Sequence, residues 1–185
     1  RMRLNLGIRR RLAPLLGHDR SRLEVAHSLL FTLPGSPVLY YGDEIGMGDN
    51  IWLEDRDGVR TPMQWTAGPN AGFSTAPSDA LDVPVIDDGP AAYELVNVDA
   101  QKADPDSLLS WLKATIAVRK TYPALARGDI RFLTPPNPAI LAYFRSYNGE
   151  TILIVNNLSD QDQAVELDLS KFVGARPYDL LSDER

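Results

Sequence analysis

Between residues 21 and 33 the apolar positions Leu23, Ala26, Leu29, Leu30 and Leu33 recur at the spacing of one helix face. Pro34-Gly35 follows as a stop, so the pattern predicts one amphipathic helix ending there. The next run, Val38, Leu39, Tyr40 and Tyr41, lies between Pro37 and Gly42 and has no polar alternation. That is the form of a strand buried on both faces in a parallel sheet. Helix, tight turn and buried strand make an αβ unit. From 42 to 103 no period is sustained, and the segment holds much of the chain's glycine and proline. A connection of about 60 residues far exceeds the usual few, and loops of that length are functional or disordered. Trp52, Arg60 and Trp65 inside it favour an ordered one, because disordered segments are poor in aromatics.

A second helix is expected over 105–120. Asp104 offers an N-cap acid, Pro105 suits the first helical position, and Leu108, Leu112, Thr115 and Ile116 share a face. Arg119-Lys120 are cations suited to its end. After Pro123 the period changes to two: Ile130 and Phe132, then Ile140, Ala142 and Phe144, then Ile152 and Ile154, and later Val165, Leu167 and Leu169. Asn148-Gly149 between two such runs is a type I′ hairpin signal. The expected organisation is therefore an α/β portion over 1–122 and an antiparallel β portion over 129–185. One strand with two helices does not close a parallel sheet, and about five short strands are few for a sandwich. Both portions read as incomplete, and an opening Arg1-Met2-Arg3-Leu4 adds to the expectation of a piece of a longer protein.

Composition narrows the partners. Nineteen basic against 25 acidic residues give a net charge of −6, which argues against nucleic acid, since phosphate backbones are gripped by cationic surfaces. The apolar runs are far shorter than the roughly 20 residues of a membrane helix. With no cysteine, disulfides and thiolate chemistry are excluded, and the expected location is a reducing cytoplasm. The run Arg9-Arg10-Arg11 beside Leu12, Leu15 and Leu16 reads as the solvated face of a short helix. His18 and His27 stand without a second ligand at metal spacing, so both read as structural or surface residues and no metal is expected. No glycine loop for phosphates and no dinucleotide fingerprint occurs, so no cofactor is implied.

The segment GSPVLYYGDEIGM at 35–47 resembles the eighth strand and following loop of α-amylase-type glycoside hydrolase barrels. The segment RDGVRTPMQW at 56–65 is similar to the long eighth loop of the subgroup that holds oligo-1,6-glucosidases, α-glucosidases, sucrose isomerases and trehalose synthases. With GDNIWL at 48–53 and the opening RMRLNLGIRRRLAPLL at 1–16, the likeness is strongest to the trehalose synthase branch. The resemblance implies the last αβα part of a TIM-type barrel followed by an antiparallel C-terminal β-sandwich. It implies a parent enzyme that interconverts maltose and trehalose, small neutral disaccharides, by retaining intramolecular glucosyl transfer. It also implies that the nucleophile, the acid/base and the stabilising aspartate lie upstream of Arg1, so that the chain by itself is inactive. A hydrolytic α-glucosidase or oligo-1,6-glucosidase is the alternative within enzymes. A non-catalytic carbohydrate-binding or assembly module is the alternative outside them.

Several residues are candidates for the site. Arg60 and Arg56 offer guanidinium forks suited to sugar hydroxyls or to carboxylates. Both can instead staple the loop, Arg60 through Asp57 or Asp55. Gln64 offers an amide to a saccharide, and Trp65 reads as the packing anchor of the loop motif. Trp52 stands under the same choice of stacking or packing. Asp43 and Glu44 tempt a reading as an acid/base pair, but neighbours in an extended stretch point to opposite faces. A retaining pair must also sit roughly 5 to 5.5 Å apart across one bond. They are expected, with Asp57 and Trp65, to anchor the loop. A strand with unpaired edges is a template for association, so the isolated chain is expected to self-associate through 37–41 and the helix at 21–33.

Overall fold

Helices start where a side chain can satisfy the orphan N–H groups of the first turn, and that chemistry sets the starts at Arg20, Val98 and Leu108. The computed structural model describes residues 9–182. Residues 1–8, which carry half of the opening motif, and 183–185 lie outside the described residues. In chain order the helices are α1 (Leu12–Leu15), α2 (Arg20–Thr32), α3 (Val98–Ala103), α4 (Leu108–Thr121) and α5 (Pro123–Arg127). The strands are β1 (Asp129–Phe132), β2 (Ile140–Tyr147) and β3 (Glu150–Asn157). The chain divides into two compact units, Arg1–Glu24 with Val38–Leu112, and Val25–Pro37 with Lys113–Arg185, so the division falls inside α2 and inside α4.

Helix α2 forms within one residue of its expected bounds, but a different row is buried. Leu23, His27 and Phe31 are buried at i, i+4 and i+8, whereas Leu30 is exposed. His27 belongs to that row because its ring stacks on Phe31, with centroids 6.5 Å apart. The expected strand over 36–41 is not formed. Val38 is 82% exposed and Tyr40 and Tyr41 are partly exposed, because a strand needs neighbours for its ladder and none of the described residues supplies one.

In the first unit, the expected irregular loop contains α3, whose first turn is capped by Asn97 accepting from the Ala100 N–H at 2.8 Å. The second long helix begins later than its sequence suggests. Asp104 accepts from the Asp106 N–H at 2.8 Å, closing a turn around Pro105. Ser107 is the actual cap, its hydroxyl accepting from the Ser110 N–H at 3.2 Å. The core of this unit gathers Ile45, Met47, Met63, Val98 and Leu109, with Val96 against them. Gln101 links its parts, donating to the Ile45 carbonyl at 2.7 Å and accepting from the Leu109 N–H at 3.1 Å.

The second unit is a three-stranded antiparallel sheet in the order β1-β2-β3. Phe144 faces Arg131 on one side and Leu153 on the other in register. Asn148 (φ 48°) and Gly149 (φ 87°) both take positive φ in the β2–β3 turn, as a type I′ hairpin requires. Leu125, Tyr143 and Ile154 form the core, packed by Leu33, Val118, Tyr122 and Ile130 among others. Two arginines receive the C-terminal end of α2. Arg119 donates to the Phe31 carbonyl and, at 2.7 Å, to the Gly35 carbonyl, and Arg145 donates to the Thr32 carbonyl and, at 2.7 Å, to the Gly128 carbonyl. Cations at that end also suit the helix dipole. The alternating run at 165–169 forms no strand. Alternation marks two faces, but a strand also needs a partner in register, and β3, at the edge of the sheet, pairs only with β2.

Candidate functional site

The residues singled out by sequence lie along 42–65, and glycine geometry shapes the start of that stretch. Gly42 has φ 86°, and a Cβ there would sit 2.3 Å from the Met47 sulfur, so the turn Asp43–Ile45 requires glycine before it. Asp43 and Glu44 open that turn and are both half-buried. The Asp43 carboxylate lies 3.6 Å from the Arg11 guanidinium.

Arg11 corrects the reading of the basic run as a solvated face. It is 3% exposed. Its guanidinium donates to the Tyr41 carbonyl at 2.6 Å and to the Val59 carbonyl at 2.8 Å. It also lies over the Tyr40 and Tyr41 rings, 5.0 and 4.7 Å from their centroids. The Tyr41 hydroxyl donates to the Thr61 carbonyl at 2.8 Å. Burial pushes the Tyr41 phenol above its ordinary value, with the Arg11 charge pulling the other way. Arg10 bonds Asp49 at 3.0 Å. The desolvation cost of a buried guanidinium explains this density of partners.

The loop motif has an exposed tip and a buried base. Trp52 is 88% exposed. Arg56 pairs with Asp55 at 3.4 Å, and Arg60 pairs with Asp57 at 3.7 Å, all four side chains being about half exposed. Beyond them the chain turns inward. Gln64 is fully buried, and its amide donates to the Ala91 carbonyl at 3.0 Å and the Val96 carbonyl at 2.5 Å. Its amide nitrogen therefore braces the loop from inside. Trp65 is partly exposed, while its backbone N–H donates to the Ala71 carbonyl at 2.8 Å and its carbonyl accepts from the Asp99 N–H at 3.0 Å.

Sequence reasoning missed Arg10, Arg11, Asp49 and Tyr41 as parts of this stretch. Only one local signal pointed to them, a cationic run set against an aromatic pair and an acid, Tyr40, Tyr41 and Asp43. Chemically, the exposed part offers guanidinium donors, carboxylate acceptors and one indole face, a set suited to a neutral polyhydroxylated ligand. Among the described residues no group of three or more histidine or carboxylate side chains converges to hold a metal ion. No described helix is long and apolar enough to cross a membrane.

Comparison with known proteins finds two successive family matches along the chain. Residues 9–128 match the family described as alpha amylase, catalytic domain, and residues 130–185 match that of the maltogenic amylase C-terminal domain. A trehalose synthase/amylase TreS of Mycobacterium tuberculosis is 53% identical over 183 residues, covering 97% of this chain and 30% of the relative. A probable oligo-1,6-glucosidase 2 of Bacillus subtilis is 30% identical, covering 80% of this chain and 31% of the relative. Among solved structures, the trehalulose synthase MutB matches with a TM-score of 0.69 at 27% identity, over 83% of this chain and 34% of that one. The chain spans about 30% of the length of the first of these relatives.

Proposed function

The chain belongs to the α-amylase family, and from that membership we propose that it is the lid-bearing C-terminal part of an enzyme that interconverts maltose and trehalose. The observation that carries the reading is the contrast in identity, 53% to a trehalose synthase along nearly the whole chain against 30% to an oligo-1,6-glucosidase. The reaction is a retaining double displacement. A carboxylate outside this chain attacks the anomeric carbon, glucose is released but retained, and its anomeric hydroxyl attacks the glucosyl-enzyme. Water admitted at that point hydrolyses the intermediate, so closure separates an isomerase from a glucosidase.

In this reading residues 48–70 govern product choice without performing chemistry. Arg60 and Arg56 reach sugar hydroxyls from the exposed part of the loop, while Asp43, Glu44, Asp57 and Trp65 anchor it and Gln64 braces it. The catalytic domain runs to about residue 122 and the C-terminal β domain covers 129–185, a division supported by the change of family match between 128 and 130. A cytoplasmic location is part of the same reading, checked by cell fractionation, as is self-association of the isolated chain through its uncovered strand segment. The test of function is incubation of the full-length enzyme with maltose while following trehalose against glucose. Trehalose as the main product supports the reading, and glucose alone refutes it.

A further inference from the structure

Two arginines adjacent in sequence hold both legs of the loop at 48–60. On the outgoing leg the Asp49 carboxylate accepts from the Arg10 guanidinium at 3.0 Å and from the Arg11 backbone N–H at 2.7 Å. On the returning leg the Val59 carbonyl accepts from the Arg11 guanidinium at 2.8 Å, one residue before Arg60. The same guanidinium reaches down to the Tyr41 carbonyl at 2.6 Å and the Asp43 carboxylate at 3.6 Å. The neck between the legs is closed by the Asn50 N–H donating to the Gly58 carbonyl at 2.9 Å. It has no room for a side chain, since a Cβ at Gly58 would lie 2.1 Å from the Asn50 oxygen. Above the neck the loop is open to solvent, with Trp52 88% exposed.

We propose that Arg11 is a positioning residue for this lid: its buried fork sets the height of Val59 and Arg60 above the Tyr41-Asp43 turn, and thereby the share of glucosyl-enzyme lost to water. The proposal rests on the glucosyl-transfer reading above. A guanidinium can sit against two aromatic rings, here 5.0 and 4.7 Å from their centroids, while donating in two fixed directions to two carbonyls. A lysine ammonium is a point charge on a flexible stem, so it keeps the charge beside Asp43 but does not hold both carbonyls at a set angle. Partition between retained glucose and water depends on closure, so a lifted returning leg alters the products more than the consumption of maltose.

The test uses the full-length enzyme carrying Arg11→Lys and, separately, Tyr41→Phe, which removes the hydroxyl bond to the Thr61 carbonyl further along the same leg. Two readouts are taken, the free-glucose share of the products from maltose and the rate of tryptic cleavage after Arg56 or Arg60. Arg11→Lys should raise the glucose share roughly three- to tenfold while kcat for maltose consumption falls less than about threefold. Lid cleavage should quicken in the same variant. If Arg11→Lys does not fold, Tyr41→Phe must raise the glucose share. A folded Arg11→Lys enzyme with the parent's partition and cleavage rate overturns the proposal, and so does a lower kcat with unchanged partition. A parent enzyme that yields only glucose refutes the glucosyl-transfer reading by itself, and the clamp then stands or falls on the cleavage rates.

Discussion

Arg145 and Arg60 carry the same guanidinium into opposite surroundings, and their substitution should separate stability from function. Arg145 is 1% exposed and donates to the Thr32 and Gly128 carbonyls. Arg145→Met should cost about 1–3 kcal/mol for each carbonyl left unsatisfied, read as a lower urea midpoint. The Arg60–Asp57 pair is about half exposed at 3.7 Å. Arg60→Ala should therefore leave stability within about 1 kcal/mol of the parent, as exposed ion pairs are weak. In the full-length enzyme it should nonetheless raise the share of free glucose, and an unchanged product ratio would reduce Arg60 to a loop staple. Tyr143 adds a pH dependence. Burial pushes its phenol above the usual 10.0, partly offset by its bond to Thr32 and the Arg145 charge. The unfolded phenol loses its proton first, so the stabilising contribution is fully present below about pH 10 and is lost as pH rises through the higher folded value. Tyr143→Phe should flatten the fall in unfolding midpoint above about pH 10, and an unaltered alkaline slope would contradict this.

At the scale of elements, local chemistry decides some boundaries and distant partners decide others. Ser107 caps α4 and also donates to the Gln101 carbonyl at 2.7 Å, so Ser107→Ala should cost about 1 kcal/mol, measured by thermal unfolding. The hairpin at Asn148-Gly149, the span of α2 and the strands β1 to β3 were legible in the sequence, because turn chemistry and periodicity act within a few residues. The start of α4 was misread because Asp104-Pro105 fits a helix start and a tight turn equally well. The segments at 36–41 and 165–169 have strand composition but no partner in register among the described residues, and composition does not report partners. The Arg11 clamp was illegible for a related reason, since its two carbonyl acceptors lie 30 and 48 residues away. Burial of Gln64 was hidden in the same way, because the carbonyls it serves come from 27 and 32 residues downstream.

For the whole molecule, the exposed apolar residues of 38–41 bear on association. Val38, Tyr40 and Tyr41 all stand partly or largely in solvent. Covering such surface contributes roughly 25 cal/mol per Å², and an unpaired extended segment offers backbone groups to a second copy. The purified 185-residue chain should sediment as a dimer or larger species at micromolar concentration, and Val38→Lys should shift it toward monomer. A parent chain that stays monomeric would contradict this. On the proposed function, the same residues pair with neighbouring strands of a barrel in the longer enzyme, and the loop at 48–60 stands over the open end of that barrel. On the proposed function this loop retains glucose until it is transferred. The full-length enzyme should be incubated with unlabelled maltose in the presence of labelled free glucose. Trehalose should accumulate ahead of glucose and carry no label, because the retained sugar never exchanges with solvent. Glucose as the sole product, or trehalose labelled in proportion to the added glucose, would contradict it.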